Sequence, residues 1–305
     1  MLKKPAVFVL TFLSIFVLKT IGFFRKKSLL ELKPNGEKSI LILTPHADDE
    51  LLGCGAVLKK QAEHSAQITL VNMTDGGASM SRLDSELLVK IRKKELKAVC
   101  RLLGINNIIH LDQPDGNLKP NEEIIKRVAT IIDRIKPEII YVPFFCDFHR
   151  DHVATNLILS SALKRSFHTC AIRAYEVQVP ITPLLFNSYV EISDWLQIKK
   201  NLLRQYQSQS LVLDNVFLAW NLNASFIQKA KNVEVFFSCD SPTYCWLIDN
   251  FVSDEETWAK NFYASGNSAK ILLAYLKGLR LRKKIADHMQ GAGLLRSAEP
   301  SSTYS

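Results

Sequence analysis

From residue 38 onward, short apolar runs alternate with stretches of helical periodicity, and this alternation limits the fold more than any other feature of the sequence. The apolar runs are rich in β-branched residues, which favour strands. Alternating strands and helices predict an α/β fold whose mostly parallel sheet is covered by helices on both faces. The predicted strands are SILILT (39–44), QITLVNMT (67–74), NIIHLD (107–112) and EIIYVPF (138–144), and the predicted helices cover residues 50–63, 84–103 and 121–136.

A polar cluster follows each of these four predicted strands. PHADDE (45–50) follows the first strand and DGG (75–77) the second, while DQPDGN (112–117) follows the third and FCDFHRDH (145–152) the fourth. In open parallel sheets, ligands bind beyond the carboxyl ends of the strands. We therefore expect all four clusters at one edge of the sheet.

The first and fourth clusters contain the residue types that bind divalent metals. Carboxylates as close as Asp48 and Asp49 repel each other unless a cation or a proton stabilises them. Capping of the following helix would explain one aspartate, but not a second acid and a histidine beside it. Two imidazoles and one carboxylate, with a position open to water, are a recurring catalytic zinc arrangement. The two clusters together predict a metal site.

Six motifs occur in order along residues 38 to 210: PHADDELLGCGAVL, TDGGAS, IRKKELKAVCRLLGI, LDQPDGNL, HRDHVATN and KKNLLRQYQSQ. In these motifs the chain resembles the LmbE/PIG-L family of metal-dependent sugar N-deacetylases. The family's opening motif is usually PHPDDE and its second is usually HPDH, so Ala47 and Arg150 stand here in place of two prolines. The resemblance implies a Rossmann-like sheet and a hydrolase that removes the acetyl group from an N-acetylglucosamine-type glycoconjugate.

The resemblance also implies how the metal is bound and used. His46, Asp49 and His152 would be the metal ligands, and Asp48 would be the base that deprotonates the metal-bound water. The resulting hydroxide would attack the acetamide carbonyl of an N-acetylated sugar or glycolipid. The expected cofactor is Zn²⁺, with another divalent metal such as Fe²⁺ as the alternative.

Four further residues receive roles from the resemblance. His149 would polarise the amide oxygen or stabilise the oxyanion, and Asp151 would orient a neighbouring histidine. Arg92 and Asp115 would contact the sugar. Each of the last two has a simpler alternative, because Arg92 could pair with Glu95 one helical turn away on the surface, and Asp115 precedes a glycine in a strong turn sequence.

Two other functions stay open at this point. One is deacetylation of a soluble small molecule, such as a thiol-sugar or antibiotic precursor. The other is a carbohydrate-binding module that kept the fold without turnover. The second is less favoured, since a module that only binds sugar has little use for both a ligand triad and a free base.

The N-terminal segment PAVFVLTFLSIFVLKTIGFF, residues 5–24, is long enough to cross a hydrocarbon core. The bulky, basic FFRKK sequence follows it without a small-residue cleavage site. We therefore predict an uncleaved single-pass membrane anchor within residues 1–30, with a cleaved signal peptide or a core helix as alternatives. The charges on its two sides weakly place the catalytic domain in the cytoplasm.

The basic character of the chain bears on its partners. The formal net charge is +9, but the Lys and Arg residues are not interleaved with aromatic residues as in known nucleic-acid modules. We expect no nucleic-acid partner and an association with membrane through the N-terminal helix. The predicted domains are a deacetylase domain over residues 38–255 and a basic helical C-terminal region over 256–305, which includes one helix over 268–289 and a disordered tail.

Overall fold

The computed structural model describes residues 4–34, 36–78, 84–209, 221–264 and 271–291. Within these ranges the chain forms one mixed sheet with helices packed on it. The strands are β1 (Leu30–Glu31), β2 (Ser39–Thr44), β3 (Gln67–Thr74), β4 (Asn107–Gln113), β5 (Ile139–Pro143), β6 (Ala171–Tyr175), β7 (Ser188–Glu191) and β8 (Val233–Asp240). The helices are α1 (Lys4–Phe24), α2 (Asp49–Glu63), α3 (Ser85–Leu103), α4 (Glu122–Ile135), α5 (Arg150–Ser166), α6 (Leu196–Leu203), α7 (Ser241–Phe251), α8 (Glu255–Ala259), α9 (Ile271–Leu276) and α10 (Leu279–Gly291).

The sheet has the strand order β1-β7-β8-β6-β5-β2-β3-β4. Strands β2 to β6 run parallel to one another, whereas β8 is antiparallel to both β6 and β7. Strand β2 lies between β3 and β5, and the direction in which the chain adds strands reverses beside it. Such a switch point leaves a crevice at the carboxyl ends of the strands, where ligands bind in open α/β sheets.

Helices cover both faces of this sheet. Along β2, Leu41 and Leu43 belong to one buried core with residues of α4 and α5, whereas Ile40 and Ile42 belong to a second core with residues of α2 and α3. Burial on both faces explains why β2 is apolar at successive positions instead of alternating. The predicted α/β fold with a mostly parallel sheet is confirmed.

The predicted boundaries agree closely with the structure in the first half of the chain. The helix predicted over 84–103 begins at Ser85, because the side chain of Asp84 caps it by accepting the N–H groups of Glu86 and Leu87. Strand β4 extends one residue past its predicted end, to Gln113.

The single helix predicted over 268–289 is wrong, since α9 and α10 are separate helices. Gly278 between them has a φ of 79°, and a Cβ there would lie 2.6 Å from Cε1 of Phe262. The break therefore depends on a tertiary contact that only glycine allows. The domain boundaries remain predictions, and the predicted disordered tail over residues 293–305 lies outside the described residues.

The predicted membrane anchor is wrong, and so is the membrane location inferred from it. None of the helices in the described part of the chain combines the length and the apolar character needed to span a bilayer. Helix α1 carries polar Ser14 and Lys19 within its apolar stretch, and Ser14 and Leu18 are buried against the rest of the protein. Gly22 continues that face, where an added Cβ would lie 2.5 Å from Oγ of Ser225.

A buried ion pair stabilises a break in helix α2. Cys54 has non-helical backbone angles, and the carboxylate of Glu234 in β8 accepts the N–H groups of Ala56 at 2.8 Å and Val57 at 2.9 Å. The ammonium group of Lys199 lies 2.5 Å from the same carboxylate, and the two side chains are 2% and 0% exposed. Strand β8 and helix α6 thereby fix the first turns of α2, which follow directly on PHADDE.

We expect Glu234→Gln to lower the free energy of unfolding by about 3–5 kcal/mol, because Lys199 would keep a buried charge without its counter-ion. Urea denaturation followed by circular dichroism measures this loss. The matched control is Glu63→Gln on helix α2. It breaks a partly exposed pair with Lys59 and should change the free energy of unfolding by less than about 1 kcal/mol. If the two variants unfold at the same urea concentration, Glu234 does not stabilise the fold through its buried pair with Lys199.

Candidate active site

The PHADDE sequence forms the turn between β2 and α2. Asp48 is the N-cap of α2 and has a φ of 113°, a conformation that residues with a side chain rarely adopt. Its carbonyl accepts the N–H groups of Leu51 at 3.0 Å and Leu52 at 2.9 Å, and the residue is only 6% exposed. Strain of this kind persists only where the surrounding structure over-determines the backbone, and it is concentrated at functional sites.

Contacts from distant parts of the chain hold this turn in place. Thr74, at the end of β3, donates its N–H and its hydroxyl to the carbonyl of Pro45 at 3.1 and 2.7 Å. On the opposite side, the side chain of Gln209 donates to the carbonyl of Ala47 at 2.6 Å. The carbonyls that flank His46 are therefore both fixed by hydrogen bonds.

Glu50, the last residue of PHADDE, is buried beneath the turn. Its carboxylate accepts the N–H of Asp48 at 3.1 Å and the hydroxyl of Tyr206. Burial raises the pKa of Glu50 to about 7, although these hydrogen bonds oppose the shift. Glu50 therefore supports the strained backbone at Asp48.

The second cluster forms the turn between β5 and α5. His149 caps α5, and its Nδ1 accepts the N–H of Asp151 at 3.3 Å. Asp147 accepts the N–H of His149 at 2.8 Å, and its other oxygen lies 3.1 Å from Nδ1 of His152. Asp147 is not among the predicted site residues, although it lies five residues before His152 in the same polar cluster of the sequence.

The three predicted metal ligands meet at Asp49, where one carboxylate oxygen faces both predicted histidine ligands. Oδ2 of Asp49 lies 3.3 Å from Nδ1 of His46 and 3.4 Å from Nε2 of His152. Two ligand atoms about 2.1 Å from a tetrahedral zinc ion are themselves about 3.4 Å apart. Both ring nitrogens of the buried His152 face carboxylate oxygens, Nε2 that of Asp49 and Nδ1 that of Asp147. Two of the three edges between the predicted ligand atoms therefore have the length that a tetrahedral site requires.

In the described part of the chain, two groups of side chains could hold a metal, and both include His46. His46, His149 and His152 each offer a nitrogen within 4.8 Å of the others, and His46, Asp115 and Asp151 form a second such group. Asp49 belongs to neither group. The predicted ligands His46 and His152 lie together, and the choice of Asp49 as the third ligand remains a prediction.

Burial and neighbouring charges shift the pKa values of the side chains in the cluster. Burial and the neighbouring Asp49 raise the pKa of Asp48 well above its usual value. Burial alone would raise the pKa of Asp49 as well, but His152 and His46 outweigh it and hold that pKa low. Burial would lower the pKa of His152, yet the carboxylates beside it raise the value to about 10. The cluster thus favours positive charge between its carboxylates.

Asp151 lies against His46, and its predicted role in orienting a histidine remains a prediction. Its Oδ2 is 3.2 Å from Nε2 of His46 and accepts the N–H of Gly116 at 2.7 Å. Its other oxygen accepts the N–H of Leu118 at 3.0 Å. A carboxylate with these fixed partners can hold the orientation of the imidazole.

Arg92 and Asp115 also reach the cluster. Arg92 is only 4% exposed, which excludes the alternative of a surface pair with Glu95. Its guanidinium donates to Gln209 and lies 3.6 Å from Oδ2 of Asp115, while Oδ1 of Asp115 lies 3.2 Å from Nε2 of His46. These contacts fix the surroundings of His46, and a direct contact of either residue with sugar remains a prediction.

A cavity of about 500 Å³ opens beside His149. Its volume is within the range of small-molecule sites. Phe148 and Arg150 line it from the start of α5, and Phe262 and Tyr263 line it from the segment after α8. The cavity gives a ligand access to the histidine end of the cluster.

Comparisons with known proteins find relatives of this chain. Residues 41–163 match the family described as PIG-L: GlcNAc-PI de-N-acetylase. The chain is 28% identical over 192 residues to the diacetylchitobiose deacetylase of Thermococcus kodakarensis, a match that covers 57% of this chain and 71% of that protein. It is 26% identical over 174 residues to a probable N-acetyl-α-D-glucosaminyl L-malate deacetylase 2 of Bacillus cereus, which covers 52% and 79% of the two chains.

A solved structure shares the fold. The N,N'-diacetylchitobiose deacetylase of Pyrococcus horikoshii, in complex with its inhibitor MPG, superposes with a TM-score of 0.57 at 24% identity. The match covers 68% of this chain and 86% of that one. The likeness supports the arrangement of sheet and helices described above.

We expect Asp147→Asn to weaken the binding of a divalent metal by about 10–100-fold, because a carboxylate behind a metal-binding histidine fixes its orientation and raises its basicity. Competition with a chromophoric chelator measures the affinity. Asp133→Asn, an exposed change on α4, should leave the affinity unchanged. Equal affinities for the two variants would contradict the role of Asp147.

Proposed function

We propose, from the PIG-L family domain that this chain carries over residues 41–163, that the protein is a metal-dependent deacetylase of N-acetylglucosamine-type substrates. The observation that carries the proposal is the position of Asp49 between ring nitrogens of His46 and His152. Asp48 and His149, which the reaction needs in addition, lie in the same two turns. A protein that only binds sugar would gain nothing from a strained, buried Asp48.

Zn²⁺ is the proposed cofactor, with His46, Asp49 and His152 as its ligands. Two imidazoles and one carboxylate form the donor set of many catalytic zinc sites, and Fe²⁺ can use similar ligands. When bound, the cation would supply Lewis acid chemistry, lowering the pKa of water and polarising a carbonyl group. Asp147 and Asp151 would hold His152 and His46 in the orientations that this binding needs.

Asp48 is the proposed general base. Its buried carboxyl has a raised pKa, which makes it a better proton acceptor than an ordinary aspartate. The left-handed backbone at this position directs the Asp48 side chain differently from that of the adjacent Asp49. Two neighbouring acids can therefore serve one as a ligand and the other as a base.

His149 is the proposed stabiliser of the oxyanion. Burial and the charges of His152 and His46 lower the pKa of His149 to about 4, so its imidazole is neutral near pH 7. Because its Nδ1 accepts the N–H of Asp151, the proton of the neutral ring is on Nε2. That N–H can donate to the carbonyl oxygen of the acetamide as negative charge develops there.

The proposed reaction consumes one water and releases acetate. Asp48 removes a proton as the water oxygen bonds to the carbonyl carbon, which gives a tetrahedral oxyanion facing His149. The C–N bond then breaks, and the proton taken up by Asp48 passes to the departing amine. The cavity beside His149 is the proposed site for the sugar.

Substitutions within the two turns test these roles. We expect Asp48→Asn to retain bound metal but to lose about 10²–10⁴-fold in kcat, the usual contribution of a positioned base. We expect Asp49→Asn to lose metal as well as activity. His149→Ala should retain metal and lose about 10²–10³-fold in kcat from weaker oxyanion stabilisation. Metal content by mass spectrometry and turnover of an N-acetyl sugar are the two measurements.

His64→Ala provides the control, because His64 is an exposed histidine at the far end of α2. It should keep both metal and activity. If Asp48→Asn empties the site while Asp49→Asn stays loaded, the two roles are reversed. If all three site variants remain active, the proposed mechanism is wrong.

The substrate class is tested with a panel assayed for free amine. Purified protein is incubated with N-acetylglucosamine, diacetylchitobiose, other N-acetylglucosaminides, and acetylated thiol-sugar and antibiotic precursors. We expect turnover of at least one N-acetylglucosaminide, loss of that turnover after chelation, and recovery with added Zn²⁺. Activity that survives chelation would contradict metal dependence, and turnover restricted to the small-molecule precursors would favour that alternative substrate class.

A further inference from the structure

A second cavity lies between α1, α9 and α10, and it shares no lining residue with the cavity beside His149. Its volume is about 410 Å³, within the range of small-molecule sites. The lining is mainly aliphatic and aromatic, with Leu18 and Ile21 contributed by α1 and Leu272 and Leu276 by α9. Its chemistry therefore suits an apolar ligand.

Two packed aromatic residues, Phe226 and Tyr275, line this cavity. The rings of Phe226 and Tyr275 stack at 6.4 Å with an interplanar angle of 21°, and both residues are buried. The hydroxyl of Tyr275 donates to the side chain of Asn223 at 2.9 Å. Since the polar group of Tyr275 is satisfied on the far side, its ring presents an apolar surface to the cavity.

Three cations surround the same cavity: Arg25, Lys27 and Lys283. Among the described residues, none of them forms a salt bridge. Lys27 is fixed by its backbone, which donates to the carbonyl of Phe226 at 2.9 Å and accepts the N–H of Gln228 at 3.1 Å. Within the described residues no carboxylate therefore pairs with these three cations, although the ammonium group of Lys27 donates to the carbonyl of Pro183 at 2.5 Å.

We propose that this cavity binds the hydrocarbon chain of a single-chain anionic amphiphile of the fatty-acid type, with its carboxylate against Arg25, Lys27 and Lys283. The apolar lining accounts for the chain, and the three cations, which have no carboxylate partner among the described residues, account for the anionic head group. A neutral apolar ligand would leave the rim charges without a partner. The site is separate from the proposed catalytic centre, so its ligand need not be a substrate of the deacetylase.

The proposal is tested by titrating the full chain with 11-(dansylamino)undecanoic acid, whose fluorescence rises in an apolar site, and displacing it with dodecanoate or dodecanol. We expect saturable binding of about one probe per chain and displacement by dodecanoate at about tenfold lower concentration than by dodecanol. Equal displacement by the two compounds, or binding only above the micelle concentration, would overturn the proposal.

A matched pair of tryptophan variants tests whether the probe binds inside this cavity. Leu276→Trp fills the cavity from α9 and should weaken probe binding at least about tenfold, whereas Leu273→Trp on the same helix should not. The two leucines are similarly exposed, at 54% and 53%, but only Leu276 lines the cavity. Equal binding by the two tryptophan variants would place the probe elsewhere and refute the site.

A second pair of variants tests the charged rim. The double variant Arg25→Gln and Lys283→Gln should weaken dodecanoate binding about tenfold or more and leave dodecanol binding unchanged. The control double variant Lys26→Gln and Arg280→Gln removes the same charge from residues that do not line the cavity. Equal losses in the two double variants would show a general effect of net charge and would overturn the assigned head-group site.

Discussion

Repulsion between buried carboxylates at the switch point of the sheet is the constraint on which the rest of the site depends. Asp49 and Asp147 are both buried in the crevice beyond β2 and β5, and Asp151 is fully buried beside them. Ionised carboxylates that are neighbours and buried from water are stable only if positive charge lies between them. Protonated His46 and His152 can supply that charge, and the proposed divalent cation would supply it in their place when they bind it as neutral ligands.

Segments far along the chain maintain this arrangement. Tyr206 and Gln209 follow α6, and they hold Glu50 and the carbonyl of Ala47 in the first turn. The buried carboxylate of Glu234 in β8 stabilises the break in α2 that lies just behind that turn. Since these contacts come from beyond residue 163, the matched family segment alone does not contain everything that shapes the site.

The strands could be predicted from the sequence, whereas the packing of α1 and the break at Gly278 could not, and each outcome has a physical reason. The strands around β2 were predictable because a strand buried on both faces must be apolar at every position. The anchor prediction failed because hydropathy along α1 does not reveal that Ser14 and Leu18 pack against the protein. The break at Gly278 was missed because it depends on the approach of Phe262, a contact between two different segments.

The sequence by itself determined the order of strands and helices, and it determined that histidines and acids follow the strand ends, because both are local patterns. Only the tertiary structure decided which atoms meet. It placed Asp49 between His46 and His152, set Asp147 behind His152, and turned Arg92 inward to Asp115. Such pairings join residues that are distant in sequence, and they follow from how parallel strands align their carboxyl ends, which no local pattern specifies.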